Sequence, residues 1–466
     1  MSACAFVELV VTFVGIGTAH AGGISAARFG SDHGMPAQSN PYAVYFNPAA
    51  LGGTTGTEIV VDGTFAVRSL EYSRPLGALS PSDDAQAKNA TYRNANTGDA
   101  SALNVLAVPY LGIVTDLGSK SFRLGFATYV PFGGAAKWNQ LGSVSGQAPG
   151  AIDGPQRWSI ISGQQSSLFN TLALAYRFER PRISIGASGS LVLNSAKSLR
   201  ARNADGSDDV VTTNGGLQEG RALLDASNVD IAASVGAFWE ATRFLRFGAS
   251  YNFQPGFGQQ RLSGTFLQQF GTTAQQATSQ KIDFLTSLPD VIRIGMAWRA
   301  SPDFELRADA VWERWSRMKN QCVVLSGQAC NINPDGSSDG SGSVIANFPR
   351  AWKDSFGVRT GIGYWLTQET ELFVGGSFGT PAIPKKTVDA LYFDAFSLGA
   401  SVGVRHQIVK GFYGALSYNY IYDFPFDVTP TQSTLNRVAA PSNSPSAAGH
   451  YAEQVYFFNA NMTYRF

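Results

Sequence analysis

Residues able to do chemistry are few in this chain and widely spaced. Past the first 21 positions the histidines are His33, His406 and His450. No Gly-x-Ser-x-Gly elbow, His-Glu-x-x-His pair or phosphate-binding glycine loop occurs. A membrane-embedded lipase needs a Ser–His pair on its outside, and His406 falls beside a short turn instead. The expectation is a protein that is not an enzyme and that uses no metal and no other cofactor. Of the three cysteines, Cys4 belongs to an export segment, which leaves Cys322 and Cys330 as an even pair in a polar, Gly/Ser-rich loop. A disulfide there suits an oxidising compartment and would contribute roughly 2.5 kcal/mol on the chain-entropy model.

The arginines are the more informative charges. Arg293, Arg299, Arg307, Arg359 and Arg405 fall on one face of alternating segments, and Arg157 and Arg317 lie near segment ends. Any of them can grip a carboxylate bidentately. They can equally pair with Glu305, Asp309 and Glu313, which share the face of Arg307. Arg157, Arg293 and Arg317 are the candidate ligand contacts. The segment 256–288 adds Phe257, Leu262, Phe266 and Phe270. That apolar cluster either captures a ligand or packs on itself. Its Gln-rich pieces around Gln268 and Gln275 suggest short amphipathic helices.

What positions these residues is a set of strands around one compact stretch, Asn40 to Gly52. It holds two Asn-Pro pairs with the aromatic run Tyr42–Phe46 between them. Each proline pushes the preceding residue out of the α region and removes a backbone donor. The stretch can be neither a long helix nor a central strand. We expect a plug inside a β-barrel, with Asn47, Pro48 and Ala49 seating it and Phe29, Tyr45 and Phe46 either lining the ligand pocket or anchoring the plug.

Composition agrees. Only 15% of residues are charged, against 50 glycines and 12% aromatics; globular proteins carry about a quarter charged residues. No run of eighteen apolar residues occurs, so a helical span is not expected. The net charge of +1 and the absence of a basic stripe point away from nucleic acid. An apolar run from Ala5 to Gly17 followed by Ala19-His20-Ala21 fits a cleaved export signal, residues 1–21. The plug is then 22–57 and the barrel 58–466.

From residue 58 onward apolar residues recur at alternate positions, as in Ile292-Arg293-Ile294-Gly295-Met296-Ala297-Trp298. Period two is a strand signal. Strands are expected near 58–68, 102–115, 120–131, 167–179, 182–195, 227–241, 243–255, 289–300, 303–317, 352–366, 369–380, 393–408, 411–423 and 453–466. Every second connection is tight and the others are long, the pattern of an all-β transmembrane antiparallel barrel of about 14 strands. The last strand puts Tyr456, Phe458, Ala460, Met462, Tyr464 and Phe466 on one face, which suits lipid. Pro109 sits inside a wall strand close to Gly112, and Gly125 lies in the next strand. A closed barrel has no edge to hold a proline, so these three mark an expected bulge or break in the wall.

Taken in order, several of these runs resemble the FadL-type outer-membrane long-chain fatty-acid transporters. They are Phe46-Asn47-Pro48-Ala49-Ala50-Leu51, Trp158, Leu172-Ala173-Leu174-Ala175-Tyr176, Leu288-Pro289-Asp290-Val291-Ile292-Arg293, Trp315-Ser316, Trp352-Lys353-Asp354, Arg359-Thr360-Gly361-Ile362-Gly363-Tyr364 and Gly379-Thr380-Pro381-Ala382-Ile383-Pro384. The resemblance spans nearly the whole mature chain and rests on order rather than on one motif. It implies a plugged fourteen-stranded barrel, a monomer in the outer membrane of a Gram-negative bacterium, surrounded by outer-membrane lipid. It implies capture of a hydrophobic small molecule by loops, an apolar pocket, plug rearrangement and lateral release at an inward kink of the third strand. Relatives carry aromatic hydrocarbons, so fatty acid and hydrocarbon both stay open as ligands. A lipid-modifying enzyme and a structural barrel or adhesin are the alternatives from other classes.

Overall fold

The computed structural model describes residues 28–79, 89–142, 148–212, 214, 218–270 and 277–466. The expected export signal and the first plug residues lie outside them, as does Gln275. No helix among the described residues is long and apolar enough to cross a membrane.

Eighteen strands form one sheet: β1 Thr57–Arg74, β2 Gly98–Thr115, β3 Phe122–Lys137, β4 Ser162–Phe178, β5 Ile183–Arg202, β6 Gly220–Glu240, β7 Leu245–Asn252, β8 Gln260–Gln269, β9 Thr278–Thr286, β10 Val291–Ser301, β11 Phe304–Glu313, β12 Asn320–Leu325, β13 Val344–Pro349, β14 Ser355–Trp365, β15 Thr370–Gly379, β16 Ser397–Val409, β17 Phe412–Val428 and β18 Gly449–Arg465. Each of the fourteen expected strands overlaps one of these. Those fourteen pair in sequence, with β7 bonding β10 and β11 bonding β14, and β1 closes the ring on β18 from Glu58↔Arg465 to Ser73↔His450. Neighbouring strands are antiparallel throughout, so the wall is a closed barrel.

The remaining four strands, β8, β9, β12 and β13, were read from sequence as loops. They continue the wall outward from β6: Arg221–Ser227 of β6 pairs with β8, β8 with β9, β9 with β12 and β12 with β13. The amphipathic helices expected near Gln268 are therefore absent; Gln268 is in β8 and pairs with Ala222. The physical reason is length. β5 and β6 have 20 and 21 residues, about twice the 9–11 that cross a bilayer. Their free upper edge needs hydrogen-bond partners, and the hairpin β8–β9 supplies them.

Alternation holds around the wall. In β1 the side chains of Val61 and Phe65 are exposed, whereas Val60, Asp62, Thr64 and Arg68 are buried. In β18, Phe458, Met462 and Tyr464 are exposed while Phe457, Asn459 and Thr463 are buried. The exterior of the wall is apolar, and the polar side chains turn into a lumen filled by residues 28–56.

Candidate functional site: a plugged lumen beside a gap in the wall

The plug begins with turns around Gly30–Gly34, makes a single helical turn at Ala43–Phe46, and continues as a 3-10 segment Pro48–Gly53. Asn47 joins the two. Its Oδ1 accepts from the Ala49 N–H at 3.1 Å, capping the segment that Pro48 opens. Its Nδ2 donates to the Pro36 carbonyl (2.9 Å) and to the Ala237 carbonyl of β6 (3.0 Å). One side chain thus fastens plug to plug and plug to wall. The wall admits the plug by omitting side chains. A Cβ at Gly186 would stand 2.4 Å from the Ala49 nitrogen, at Gly236 2.0 Å from Asn47 Oδ1, and at Gly248 2.0 Å from the Pro36 carbonyl oxygen. Ala49 is fully buried there.

Charges complete the seat. Arg293 donates to the Tyr45 hydroxyl at 2.5 Å and to Asn252 at 3.0 Å. Arg359 holds Asp309 with Nε and Nη2 and donates to the Gly34 carbonyl at 2.8 Å. Arg307 lies between Glu305 and Glu371, and His33 of the plug contacts Glu371 at 3.1 Å. Asp62 accepts from the Gly30 N–H and the Tyr42 hydroxyl, each at 2.7 Å. Each of these buried charges keeps a partner, which avoids the cost of an uncompensated buried ion. Arg293 accordingly serves the plug.

Aromatic rings of the plug and the wall meet in one layer. Phe29 packs against Tyr110 (centroids 4.7 Å apart), Phe46 (5.4 Å) and Tyr129 (5.5 Å). There the wall opens. The β2–β3 ladder runs from Thr115↔Leu124 to Tyr110↔Tyr129 and stops. β2 continues alongside β1 to Gly98, and β3 alongside β4 to Lys137, but no longer with each other. Between Tyr129↔Phe169 and Phe132↔Ser167, β3 spends three steps where β4 spends two, a one-residue bulge at Val130-Pro131. Tyr129 to Gly133 are all buried, so period two is lost and β3 bends into the lumen. Phe132 reaches far enough inward to meet Trp315 edge-on, centroids 6.2 Å apart. The strands rejoin higher up, where Lys137 N–H donates to Asn104 (2.9 Å) and Asn139 N–H to the Ser101 carbonyl (2.9 Å). The result is a window between β2 and β3. Pro109 is the first residue of β2 beyond the last β2–β3 pair. Gly112 and Gly125 are not at the window: both lie within the paired part, Gly112 against Tyr110 and Pro41 and Gly125 against Val44 and Leu51 of the plug.

On the loop side of the bend, a cavity lies among Gly133–Ala136 of β3, β4, β5 and the outer strands. Phe284, Phe348, Leu391 and Phe393 give it apolar walls; Arg200, Arg350 and Arg68 face it. Leu262 and Phe266 are buried in a neighbouring core with Ile282, Phe284 and Val323. Phe270 is half-buried just past β8, and Phe257 is exposed at the rim, 6.0 Å from Phe253 between ring centres. Arg157 does not face this cavity. It is fully buried in the loop layer, bidentate to Glu219 and bonded to Ala95 and Asn96. Burial alone would raise the Glu219 carboxyl, but Arg157 and Arg221 more than offset it and hold it below its usual value. Arg317 is half-exposed, 3.8 Å from Asp290. Cys322 and Cys330 are bonded to each other with Cα atoms 6.0 Å apart. His406 meets Thr370 and His450 meets Asp427, both exposed. Sequence reading missed Arg200, Arg350 and Phe348 because the strands carrying or flanking them were taken as loops, although Ser198-Leu199-Arg200-Ala201-Arg202 does continue the alternation of β5.

The model of one protein family, described as outer membrane protein transport protein (OMPP1/FadL/TodX), matches residues 2–466. A search among curated proteins finds no match. Among solved structures the fold resembles a Pseudomonas aeruginosa FadL homologue (15% identity, 97% of this chain and 100% of that one, TM-score 0.74). It also resembles the P. putida toluene transporter TodX (14%, 92% and 94%, 0.62) and the Ralstonia pickettii toluene transporter TbuX (15%, 92% and 94%, 0.59).

Proposed function

Since the chain belongs to the outer-membrane transport family of FadL and TodX, we propose that it carries long-chain fatty acids or similar hydrophobic molecules across the outer membrane of a Gram-negative bacterium. The observation that carries this reading is the window between β2 and β3 directly beside the cavity with its Phe284, Phe348, Leu391 and Phe393 walls, above a lumen the plug closes. Loops collect the molecule, and the cavity takes it out of water. Burial gains about 25 cal/mol per Å² of apolar surface, so a long chain binds well in a dry pocket. Shifts of the plug and of the aromatic layer at Phe29, Tyr110 and Tyr129 let it pass. It leaves sideways past the bend of β3 into the bilayer, never entering water again. In this reading the plug is residues 22–57, with Asn47, Pro48 and Ala49 as its seat and Phe29 and Phe46 as its aromatic contacts.

A second reading keeps the channel and changes the cargo. TodX and TbuX are toluene transporters, and an aromatic hydrocarbon would use the same window. The test is uptake of labelled oleate and of toluene in an outer-membrane host lacking its own transporter. Uptake of either, lost on replacing Pro48 and Ala49 by bulky residues, supports a gated channel. Uptake of neither by folded protein would sink the transport reading.

A further inference from the structure

We propose that the outside of the barrel carries a site for a phosphorylated lipid of the outer leaflet. Arg314 and Arg317 hold its phosphate, and a trough in the wall below them holds an acyl chain. The site lies nearly opposite the window in the ring of strands. It depends on placement in the outer membrane and not on which cargo is carried.

The argument starts from register. On the outward side of β6, β7, β10, β11 and β14, one row runs Ala237, Ala249, Ile294, Ala310 and Val358, each directly opposite the next. The row two residues nearer the tight turns runs Trp239, Phe247, Met296 and Ala308. The alanines make the floor of a trough and the large side chains its banks, and the lining surface is almost wholly apolar. Behind the floor, Gly248 pairs with Gly295. Pro36 of the plug packs against both from inside, 2.0 and 2.8 Å from where a Cβ would stand. The floor is therefore backed and does not collapse inward.

Two residues nearer the loops stand Tyr251, Ile292, Trp312 and Phe356. Aromatic side chains at this level mark a membrane–water interface. β7, β10, β11 and β14 have 8, 11, 10 and 11 residues, about the length that crosses a bilayer. Their loop-side ends therefore lie at its surface. The next outward position on β11 is Arg314, about 13 Å along the strand from Ala310. Arg314 and Arg317 are half-exposed, and neither side chain donates a hydrogen bond among the described residues. Both approach one oxygen of Asp290, at 3.7 and 3.8 Å. The other Asp290 oxygen accepts from the Gln254 N–H at 3.2 Å, and Asp354 accepts from the Ser316 N–H at 3.0 Å. Lys353 adds an exposed third cation. The rim thus keeps a surplus of positive charge over an apolar trough.

A phosphate meets two guanidiniums with charge-assisted hydrogen bonds. Free phosphate would satisfy the rim and leave the trough unused. A phosphorylated lipid serves both at once.

The test measures lipid binding to the purified full-length barrel in detergent, with folding checked by heat-dependent gel mobility. The probes are diphosphoryl lipid A, the same lipid fully dephosphorylated, and glucosamine 1-phosphate as the head alone. The phosphorylated lipid should bind, and neither of the others should match it. Arg314→Gln combined with Arg317→Gln should weaken that binding about tenfold or more, the scale of a lost charge-assisted hydrogen bond. The corresponding pair of Lys substitutions should retain most of it. Ala310→Trp, which fills the trough, should weaken it with the rim intact. Lys120→Gln, at a tight turn on the other rim, should leave it unchanged. Equal binding of phosphorylated and dephosphorylated lipid overturns the site. So does wild-type binding by the double Gln variant, or displacement by glucosamine 1-phosphate at matching concentration. Failure of the wild-type barrel to bind any probe overturns it too and leaves the transport reading standing.

Discussion

Gly186→Ala tests whether the plug is seated by the absence of wall side chains. The new Cβ would stand 2.4 Å from the Ala49 nitrogen and 2.5 Å from the Pro48 carbonyl carbon, both backbone atoms that no rotamer can move. Ordinary contact begins near 3.4 Å, so the segment must withdraw by the difference, about 1 Å. That distance takes the Asn47 to Ala237 hydrogen bond, now 3.0 Å, out of range. Overpacking costs about 1–3 kcal/mol and the lost hydrogen bond about 1 more. The seated plug should therefore lose about 2–4 kcal/mol relative to unseated forms, or roughly 30- to 700-fold in their ratio. The readout is the rate at which a cysteine placed at the buried position 43 reacts with a water-soluble maleimide. Gly189→Ala on the same strand is the control, since a Cβ there meets nothing within 4 Å. Equal labelling rates in the two variants would refute the seating argument.

Asn47→Ala should loosen the plug by about 1–3 kcal/mol, because it removes two donated bonds and a helix cap, and should show as faster cleavage by protease added on the periplasmic side. The loop layer should be acid-sensitive through Glu219. Its folded pKa lies below 4.5, so the stability it contributes is present above that value and is lost as pH falls through the lower folded one; protease protection of the loops should drop in that range and become pH-independent there in Glu219→Gln. Reducing Cys322–Cys330, which closes a short loop, should speed amide exchange in β12 and β13 by an amount corresponding to roughly 2.5 kcal/mol and leave the wall strands unchanged.

The wall was legible in the sequence because its chemistry is periodic. A residue in β10 or β18 faces either the outside of the barrel or the lumen, and two-residue alternation with tight turns on one side is enough to place it. The plug was legible for the opposite reason: Pro41 and Pro48 forbid strand and long helix alike. The outer strands were hidden. Arg261-Leu262-Ser263-Gly264-Thr265-Phe266 does alternate, but the glutamines that follow, Gln268, Gln269 and Gln275, suggested helix. Arg157 shows where alternation runs out. Its partners Glu219 and Asn96 lie 62 and 61 residues away on other loops, and no local pattern links them. The bend of β3 leaves a trace in Tyr129-Val130-Pro131-Phe132-Gly133, an apolar run with a proline in it; of the three residues expected to mark the break, Pro109 borders the window and Gly112 and Gly125 do not.

The central claim is that cargo leaves through the window the β3 bend creates. The direct measurement is oleate uptake by a variant lacking Pro131. Deleting that residue removes the extra step between Tyr129↔Phe169 and Phe132↔Ser167 and lets β3 rejoin β2 above Tyr110. With the barrel folded and oleate still bound, uptake should fall to the level of the empty host. Uptake at the wild-type rate from a barrel with that gap closed would contradict lateral release.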